Sequence, residues 1–538
     1  MKNVKLLDCT LRDGGRIIDC AFRDFEISQI TAKLSQAGID IIELGFLRDY
    51  KDVKYSGNST FFTDIDQLTP FIPTEHNNAE YVAFIDYGMF DFSTLKVRSE
   101  HTIGGLRLGF TKDDFENHYD DLVAIFRTVK TLKYNLYIQG VNSLNYSDIE
   151  LLKIVDMVNS VKPVSFGIVD TYGAMYVDDV SRVYGLIDHN LDQDIAIDFH
   201  SHNNFQLSFS FAQEIIRLSN GVRNIIIDAT LCGMGKEAGN LNTELIADFL
   251  ARKMNCNYST DILFDTIDDH IYDLHEKFRW GYTPNTLISG IYRSHPNNVI
   301  YLVQKFRLDT KDIKNILAML DEKDRQRYDY DKLDKLIETY NDSKYDDSRE
   351  TNELSNIMRD KPVLVLVPGK TISTNREIID RYIEEVTPII ISVNFITDYS
   401  ESFAFFANKK RYGIQNISGK AKKIVTSNVA QNAPDSITVN YYSVISHGYK
   451  LFDNSVFMLL NLLKRLCITN ITIAGMDGFD SNTDSNYFDA SFDVDRLIPQ
   501  FDEINRELAL MLKNYIEETK SVSSLSLITP SLFSYIFE

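Results

Sequence analysis

Short apolar runs and helix-length amphipathic stretches alternate through the first half of the chain. The apolar runs lie at residues 6–10, 41–46, 81–85, 106–110, 136–139, 165–169, 195–199 and 225–229. Between them, segments such as 25–37, 147–160 and 205–219 carry apolar residues at helical spacing. Parallel strands buried on both faces read as continuous apolar runs, and each needs a crossover before the next. Eight such strands within about 230 residues predict an α/β fold built as a (β/α)8 TIM barrel. An open doubly wound sheet is the alternative, because strand spacing does not encode closure.

From residue 257 to 345 the pattern turns helical and polar, and 346–360 is rich in charged, Ser and Asn residues. A fresh apolar run at 363–367 is followed by Pro368-Gly369, with later runs at 389–393 and 471–475. The expected organisation is a barrel domain at 1–256, a helical segment covering it at 257–345, a linker at 346–360 and a Rossmann-like α/β domain at 361–538. The stretch Leu366-Val367-Pro368-Gly369-Lys370-Thr371 is not a nucleotide P-loop. That motif needs a glycine five residues before Gly369, where Leu364 stands. The helix expected to begin near Ser373 offers an N-terminus able to bind an anion.

Composition narrows the function classes. The 538 residues are 44% hydrophobic and 25% charged, as in ordinary globular proteins. A net charge of −21 argues against a nucleic-acid partner, which needs clustered Lys and Arg. Cys9, Cys20, Cys232, Cys256 and Cys467 are scattered without a CxxC pair, so neither a disulfide framework nor a zinc ribbon is expected. No apolar leader and no run of about 18 apolar residues is present, so a cytoplasmic protein with no membrane partner is expected.

In a barrel, functional groups gather at the C-terminal ends of strands. After the first strand come Arg12-Asp13-Gly14-Gly15, a metal-ligand carboxylate and a cation displayed where glycines let the backbone turn. The seventh strand ends His200-Ser201-His202, and residues two apart on a strand face one side. Two surface histidines are the plain alternative. Strands one, seven and eight are neighbours in a closed barrel, which brings Asp13 beside His200 and His202. Two imidazoles and a carboxylate leave open positions on a divalent ion, with Mn²⁺ or Mg²⁺ preferred and Co²⁺ or Zn²⁺ as further choices. The loop Gly233-Met234-Gly235-Lys236-Glu237-Ala238-Gly239-Asn240 reads as a phosphate cradle, a tight turn, or the carrier of a further oxygen ligand, Asn240. Strand six ends Asp170-Thr171-Tyr172-Gly173, either a carboxylate-holding site or a helix-capping turn.

Leu11-Arg12-Asp13-Gly14, the histidine pair and the Gly-Met-Gly…Gly-Asn loop occur in the order that resembles the DRE-TIM metallolyase (HMGL-like) superfamily. The Asp-Thr-Tyr-Gly-Ala-Met segment is most similar to its 4-hydroxy-2-oxovalerate aldolase branch, and the resemblance covers residues 1–255. It implies a metal held by Asp13, His200 and His202 with Asn240 nearby, Arg12 stabilising an enolate, and Thr171 contacting the carboxylate of a 2-oxo acid. The implied activity is a carbon–carbon lyase joining or cleaving pyruvate, or a similar 2-oxo acid, and an aldehyde. Aldolases of this branch carry a base histidine three residues after the aspartate, where this chain has Arg16. An arginine stays protonated. Either Tyr172, Tyr282 or a water on the metal moves the proton, or the substrate differs and Arg16 binds a carboxylate or phosphate on a larger aldehyde. Glu43 orients Arg12 or serves the barrel mouth structurally. The segment 280–295 corresponds to the helical cover of the aldolases, which makes Tyr282 and His295 further site candidates.

Alternatives on the same barrel are a Claisen-type acyl-CoA synthase, disfavoured by Gly15-Arg16 where those enzymes continue with an acid and a glutamine, and a catalytically reduced scaffold. The second half loosely resembles the nucleotide-sugar or pterin-pyrophosphate-type fold found beside bacterial sialyltransferases, which implies surface-sugar biosynthesis; a docking domain is the alternative. By analogy the chain forms a homodimer and works with a dehydrogenase or glycan-pathway partner.

Overall fold

A computed structural model describes residues 3–49, 55–74, 78–306, 308, 310–342, 345–397, 399, 403–414, 421–430, 433, 435–446, 448–481, 485–489, 492 and 501–537. The chain divides into two compact units, Met1–Val303 with Leu308–Tyr330, and Gln304–Arg307 with Asp331–Glu538.

The first unit is a closed parallel barrel. Its strands are β1 (Val4–Asp8), β2 (Ile41–Leu47), β3 (Glu80–Asp86), β4 (Gly105–Phe110), β5 (Asn135–Gly140), β6 (Ser165–Asp170), β7 (Ala196–Ser201) and β8 (Ile225–Ala229). Closure is made by β1, where Leu7 pairs with Ile41 on one side and Asp228 on the other. An open doubly wound sheet is thereby ruled out. Residues alternate in direction along each strand. One set, including Leu6, Ile42, Leu106, Ile138 and Ile227, packs outward with the surrounding helices. The other set points into the barrel, where Leu7, Ile41, Val82, Tyr137, Ala196 and Ile226 form an apolar layer. Two residues further along their strands stand Glu43, Gln139, Asp198 and Asp228, which with Arg107 make a buried polar layer beneath the mouth. Capping is local and strong; Ser147 and Glu150 form a reciprocal box at the start of the helix Asp148–Val161.

Helices Thr260–His270, Tyr272–Phe278, Pro284–Tyr292 and Pro296–Phe306 follow the barrel. Their connections reach the loop after β8: Trp280 Nε1 donates to the Cys232 carbonyl at 2.9 Å, and the Gly281 amide donates to the Glu237 carbonyl at 3.0 Å.

The second unit is a seven-stranded, all-parallel sheet. Its strands are β9 (Val363–Leu366), β10 (Ile389–Val393), β11 (Phe403–Phe406), β12 (Lys422–Thr426), β13 (Ile437–Val439), β14 (Asn470–Ala474) and β15 (Ser524–Leu527). They lie in the order β13-β12-β11-β10-β9-β14-β15. Two expectations change here. The stretch 346–360 is no linker: it holds the helix Ser348–Met358, whose Leu354 and Met358 are fully buried. Asp347 before it grips Arg465 through both carboxylate oxygens at 2.9 and 3.0 Å. A polar composition concealed an amphipathic helix anchored by one ion pair. The helical turn after Gly369 is also not an open anion site, because Asp477 accepts the Thr371 amide at 2.8 Å and so occupies that position. Among the described residues no helix is long and apolar enough to cross a membrane.

Candidate active site

The backbone turns tightly after β1. The Cys9 carbonyl accepts the amides of Arg12, Asp13 and Gly14 at 3.1, 2.9 and 3.2 Å, which leaves both charged side chains at the mouth. Gly14 and Gly15 serve this turn by their lack of a side chain, since neither adopts a left-handed backbone. A Cβ on Gly15 would lie 3.0 Å from the Phe22 ring.

Three elements then converge. Asp13 Oδ2 lies 3.8 Å from His200 Nε2 and 3.7 Å from His202 Nε2. It also accepts Asn240 Nδ2 at 3.0 Å. His200 Nδ1 is 3.0 Å from Asp228 Oδ2, so the ring donates there and turns the lone pair of Nε2 toward Asp13. Burial pulls both imidazoles down to about 4 against the attraction of Asp13, which keeps them neutral and able to ligate. Burial alone would raise Asp13, but Arg12, His202, His200 and Arg16 together hold it well below the usual carboxylate range.

This donor set fits a divalent cation. The three ligand atoms all lie within 4.8 Å of one another, and Asn240 Oδ1 beside them is buried without a hydrogen-bond partner. Bonds of about 2.1 Å place neighbouring ligands roughly 3.0–3.5 Å apart, close to the 3.8 and 3.7 Å that separate Asp13 from the two imidazoles. Cys9, His200 and Asp228 form a second group with suitable atoms. Within it, Cys9 Sγ is directed at the Ala229 carbonyl and Asp228 serves as the hydrogen-bond acceptor of His200.

Arg12 is fixed from below. Its Nε donates to Glu43 Oε2 at 2.6 Å, its Nη1 to Asp13 Oδ1 at 2.7 Å, and its guanidinium lies 4.5 Å from the centre of the Phe84 ring. Glu43 Oε2 also accepts Arg107 at 3.2 Å. Arg107 continues to Asp198 at 3.0 Å and Asp228 at 2.6 Å, and Gln139 donates to Asp198 at 2.7 Å. Every member of this network is buried. It links the Arg12 guanidinium to the His200 ring through Glu43, Arg107 and Asp228.

A cavity of about 200 Å³ opens above these groups, walled by Arg12, Asp13, His200, His202, Thr171 and Tyr172, with Arg16, Lys236 and His295 also facing it. Thr171 Oγ1 accepts the Asn142 amide at 2.8 Å, which leaves its own proton for another acceptor. Burial and Glu237 push the Tyr172 phenol up to about 12, and burial with Lys236 and Arg16 pulls His295 down to about 4.

Two expected site residues fall elsewhere. Glu43 is fully buried beneath Arg12 and does not line the cavity, so the structure places it with Arg12 and not against substrate. Tyr282 is 52% exposed and is absent from the cavity wall. Sequence reasoning missed Arg107, Asp198 and Asp228, although charges inside the apolar runs 106–110, 195–199 and 225–229 were a legible signal. It also missed Lys236, whose loop was read for its glycines and Asn240.

The first half of the chain is similar to known proteins. A family model described as HMGL-like matches residues 3–269. The 4-hydroxy-2-oxovalerate aldolase of Pelotomaculum thermopropionicum is 23% identical over 322 residues, covering 58% of this chain and 89% of that protein. The 2-isopropylmalate synthase of Parabacteroides distasonis is 24% identical over 278 residues, covering 48% of this chain and 52% of that protein. Among solved structures, the HMG-CoA lyase of Bacillus subtilis is 15% identical, covers 52% of this chain and 93% of its own, and superposes with a TM-score of 0.40. Over residues 3–269, which include all eight barrel strands and the Asp13, His200 and His202 cluster, the chain belongs to the HMGL-like family.

Proposed function

We propose that this chain is a divalent-metal-dependent aldolase that forms or cleaves a carbon–carbon bond between pyruvate, or a close 2-oxo acid, and an aldehyde. The observation that carries the reading is the convergence of Asp13, His200 and His202 on one point, with Arg12 bonded to the same carboxylate on the wall of one cavity. Aldolase relatives support it over a synthase, since the aldolase of Pelotomaculum is matched over 89% of its length and the synthase of Parabacteroides over 52%.

A divalent cation held by Asp13, His200 and His202, with Asn240 beside them, supplies a Lewis acid for a 2-oxo acid's oxygens. Arg12 is preorganised by Glu43 and Asp13, and its Nη2 makes no hydrogen bond to the protein among the described residues. A fixed guanidinium in a dry mouth stabilises negative charge as it develops on the 2-oxo oxygen, without reorganising at the moment of reaction. Thr171 donates its free proton to the substrate carboxylate. Tyr172 keeps its proton at neutral pH, donates it to the alkoxide produced by bond formation and is reprotonated from solvent. Arg16, on the cavity wall, holds a substrate anion.

The test follows the methyl proton signal of pyruvate by NMR, with the protein and Mn²⁺ in D₂O. Metal-dependent loss of the signal is expected. Absence of exchange from protein that demonstrably binds Mn²⁺ would overturn the aldolase reading in favour of a scaffold, and release of CoA from acetyl-CoA with a 2-oxo acid would turn it toward a synthase.

A further inference from the structure

We propose that the acceptor aldehyde carries an anionic group, a carboxylate or a phosphate ester, which docks between Lys236 and Arg16 at the cavity mouth. This deepens the aldolase reading and rests on it for the identity of the anion's carrier.

The cation count at the mouth carries the inference. The cavity wall holds two carboxylates, Asp13 and Asp86, and both are occupied. Asp13 serves Arg12 and the histidine pair, and Asp86 is bonded to Arg48. Lys236 faces the same cavity, half-buried, and its ammonium makes no hydrogen bond or ion pair among the described residues. Arg16 makes only longer contacts, 3.3 Å to Asp13 and 4.0 Å to Asp86, while its guanidinium lies 4.6 Å from the centre of the Phe46 ring. A lysine of ordinary freedom would extend into water and keep its hydration. Here burial first, and then Arg16, push the ammonium below its ordinary value, more than Asp19 and Asp13 pull it back. His295, on the same cavity wall, is depressed first by burial and then by Lys236 and Arg16.

The loop backbone enforces this placement. Glu237, next in sequence, adopts a left-handed φ of 57°. Its carboxylate accepts Asn204 Nδ2 at 2.8 Å and does not line the cavity. A non-glycine residue held in that region is strained and persists only where the surroundings over-determine it. The Glu237 carboxylate is thereby engaged with Asn204 outside the cavity wall. The whole chain, at −21, repels anions, so affinity for one has to come from local cations.

The anion belongs to the acceptor because the 2-oxo acid's own carboxylate is assigned to Thr171. An arginine–lysine pair suits a carboxylate or phosphate equally in charge, and the experiment separates the two.

The full chain saturated with Mn²⁺ is titrated with glycerol 3-phosphate, glycerate and glycerol, with binding followed by ligand-observed NMR, for wild type, Lys236→Gln and Lys236→Arg. At least one anion is expected to bind tenfold or more tightly than glycerol. Lys236→Gln should erase that preference and Lys236→Arg should retain it, which separates loss of charge from loss of fold. Which anion wins identifies phosphate or carboxylate. Equal binding of all three compounds by wild type would overturn the inference. So would a preference that survives in Lys236→Gln, because the anion would then sit on the metal. Pyruvate exchange in D₂O by wild type is run in parallel. Exchange without anion preference removes this inference and leaves the aldolase reading; a Lys236-dependent preference without exchange leaves an anion site and removes the aldolase.

Discussion

Arg12 and His200 differ in how they are held, and the difference predicts separable losses. His200 and Asp13 offer atoms to one point, so His200→Ala or Asp13→Ala should abolish Mn²⁺ binding in calorimetric titration. Arg12→Ala should keep the metal and lose turnover by about 10²–10³-fold, the scale of removing one preorganised donor to developing charge. Turnover that survives in Arg12→Ala would show that the charge is stabilised elsewhere. Asp228→Asn leaves the ligands in place but weakens the acceptor that orients His200, so Mn²⁺ affinity should fall about 10–100-fold. Asp13, His200 and His202 were legible in the sequence because the residue types and their two-residue spacing state the chemistry directly. Lys236 was not legible, because a loop residue's direction depends on the φ of its neighbour Glu237.

At the scale of the element, the loop after β8 and the helix Asp148–Val161 carry sharper tests. Gly239 has a φ of 76°, and a Cβ there would meet the Gly233 carbonyl at 2.0 Å. Gly239→Ala must therefore displace the segment that positions Asn240 and Lys236, costing well over the roughly 1 kcal/mol of an ordinary Gly-to-Ala mismatch. Lowered Mn²⁺ affinity together with a lowered unfolding midpoint is the expected result. Glu150, bonded to Lys112 and to the Ser147 amide and hydroxyl, is held down to about 2. Its folded-state value lies below the ordinary 4.5, so the stability it supplies is present above that value and is lost as pH falls toward 2. The urea midpoint of Glu150→Gln should lie below wild type at pH 6, and the gap should narrow from pH 5 downward. A gap that stays constant would assign the effect to packing. The eight barrel strands were readable from apolar runs, yet the charged residues inside them were not assigned. Period-two alternation turns Arg107, Asp198 and Asp228 inward, but only closure shows that the inside is one shared space.

At the scale of the molecule, two separate cores imply separate unfolding. The first is built on residues such as Ile42, Phe110 and Phe199, and the second on residues such as Val365, Phe405 and Leu463. Calorimetry should resolve two transitions. Mn²⁺ should raise only the one belonging to the barrel, by about 2.7 kcal/mol at a hundredfold excess over Kd, and a chelator should reverse the shift. A metal that moves both transitions equally would place it outside the Asp13 cluster.

The sequence by itself determined the strand-and-helix alternation, the eight-strand count, the second parallel sheet and Asp13, His200 and His202 as candidate ligands, because apolar periodicity and ligand spacing are local properties. Tertiary structure alone decided that β1 closes onto β8, that Glu43 serves Arg12 beneath the cavity, that Tyr282 faces solvent, and that 346–360 is an anchored helix. It alone also set Lys236 and Arg16 on the wall of one cavity. Each of these depends on contacts between residues far apart in the chain, whose energies belong to the enclosed space they share and to no stretch of sequence taken singly.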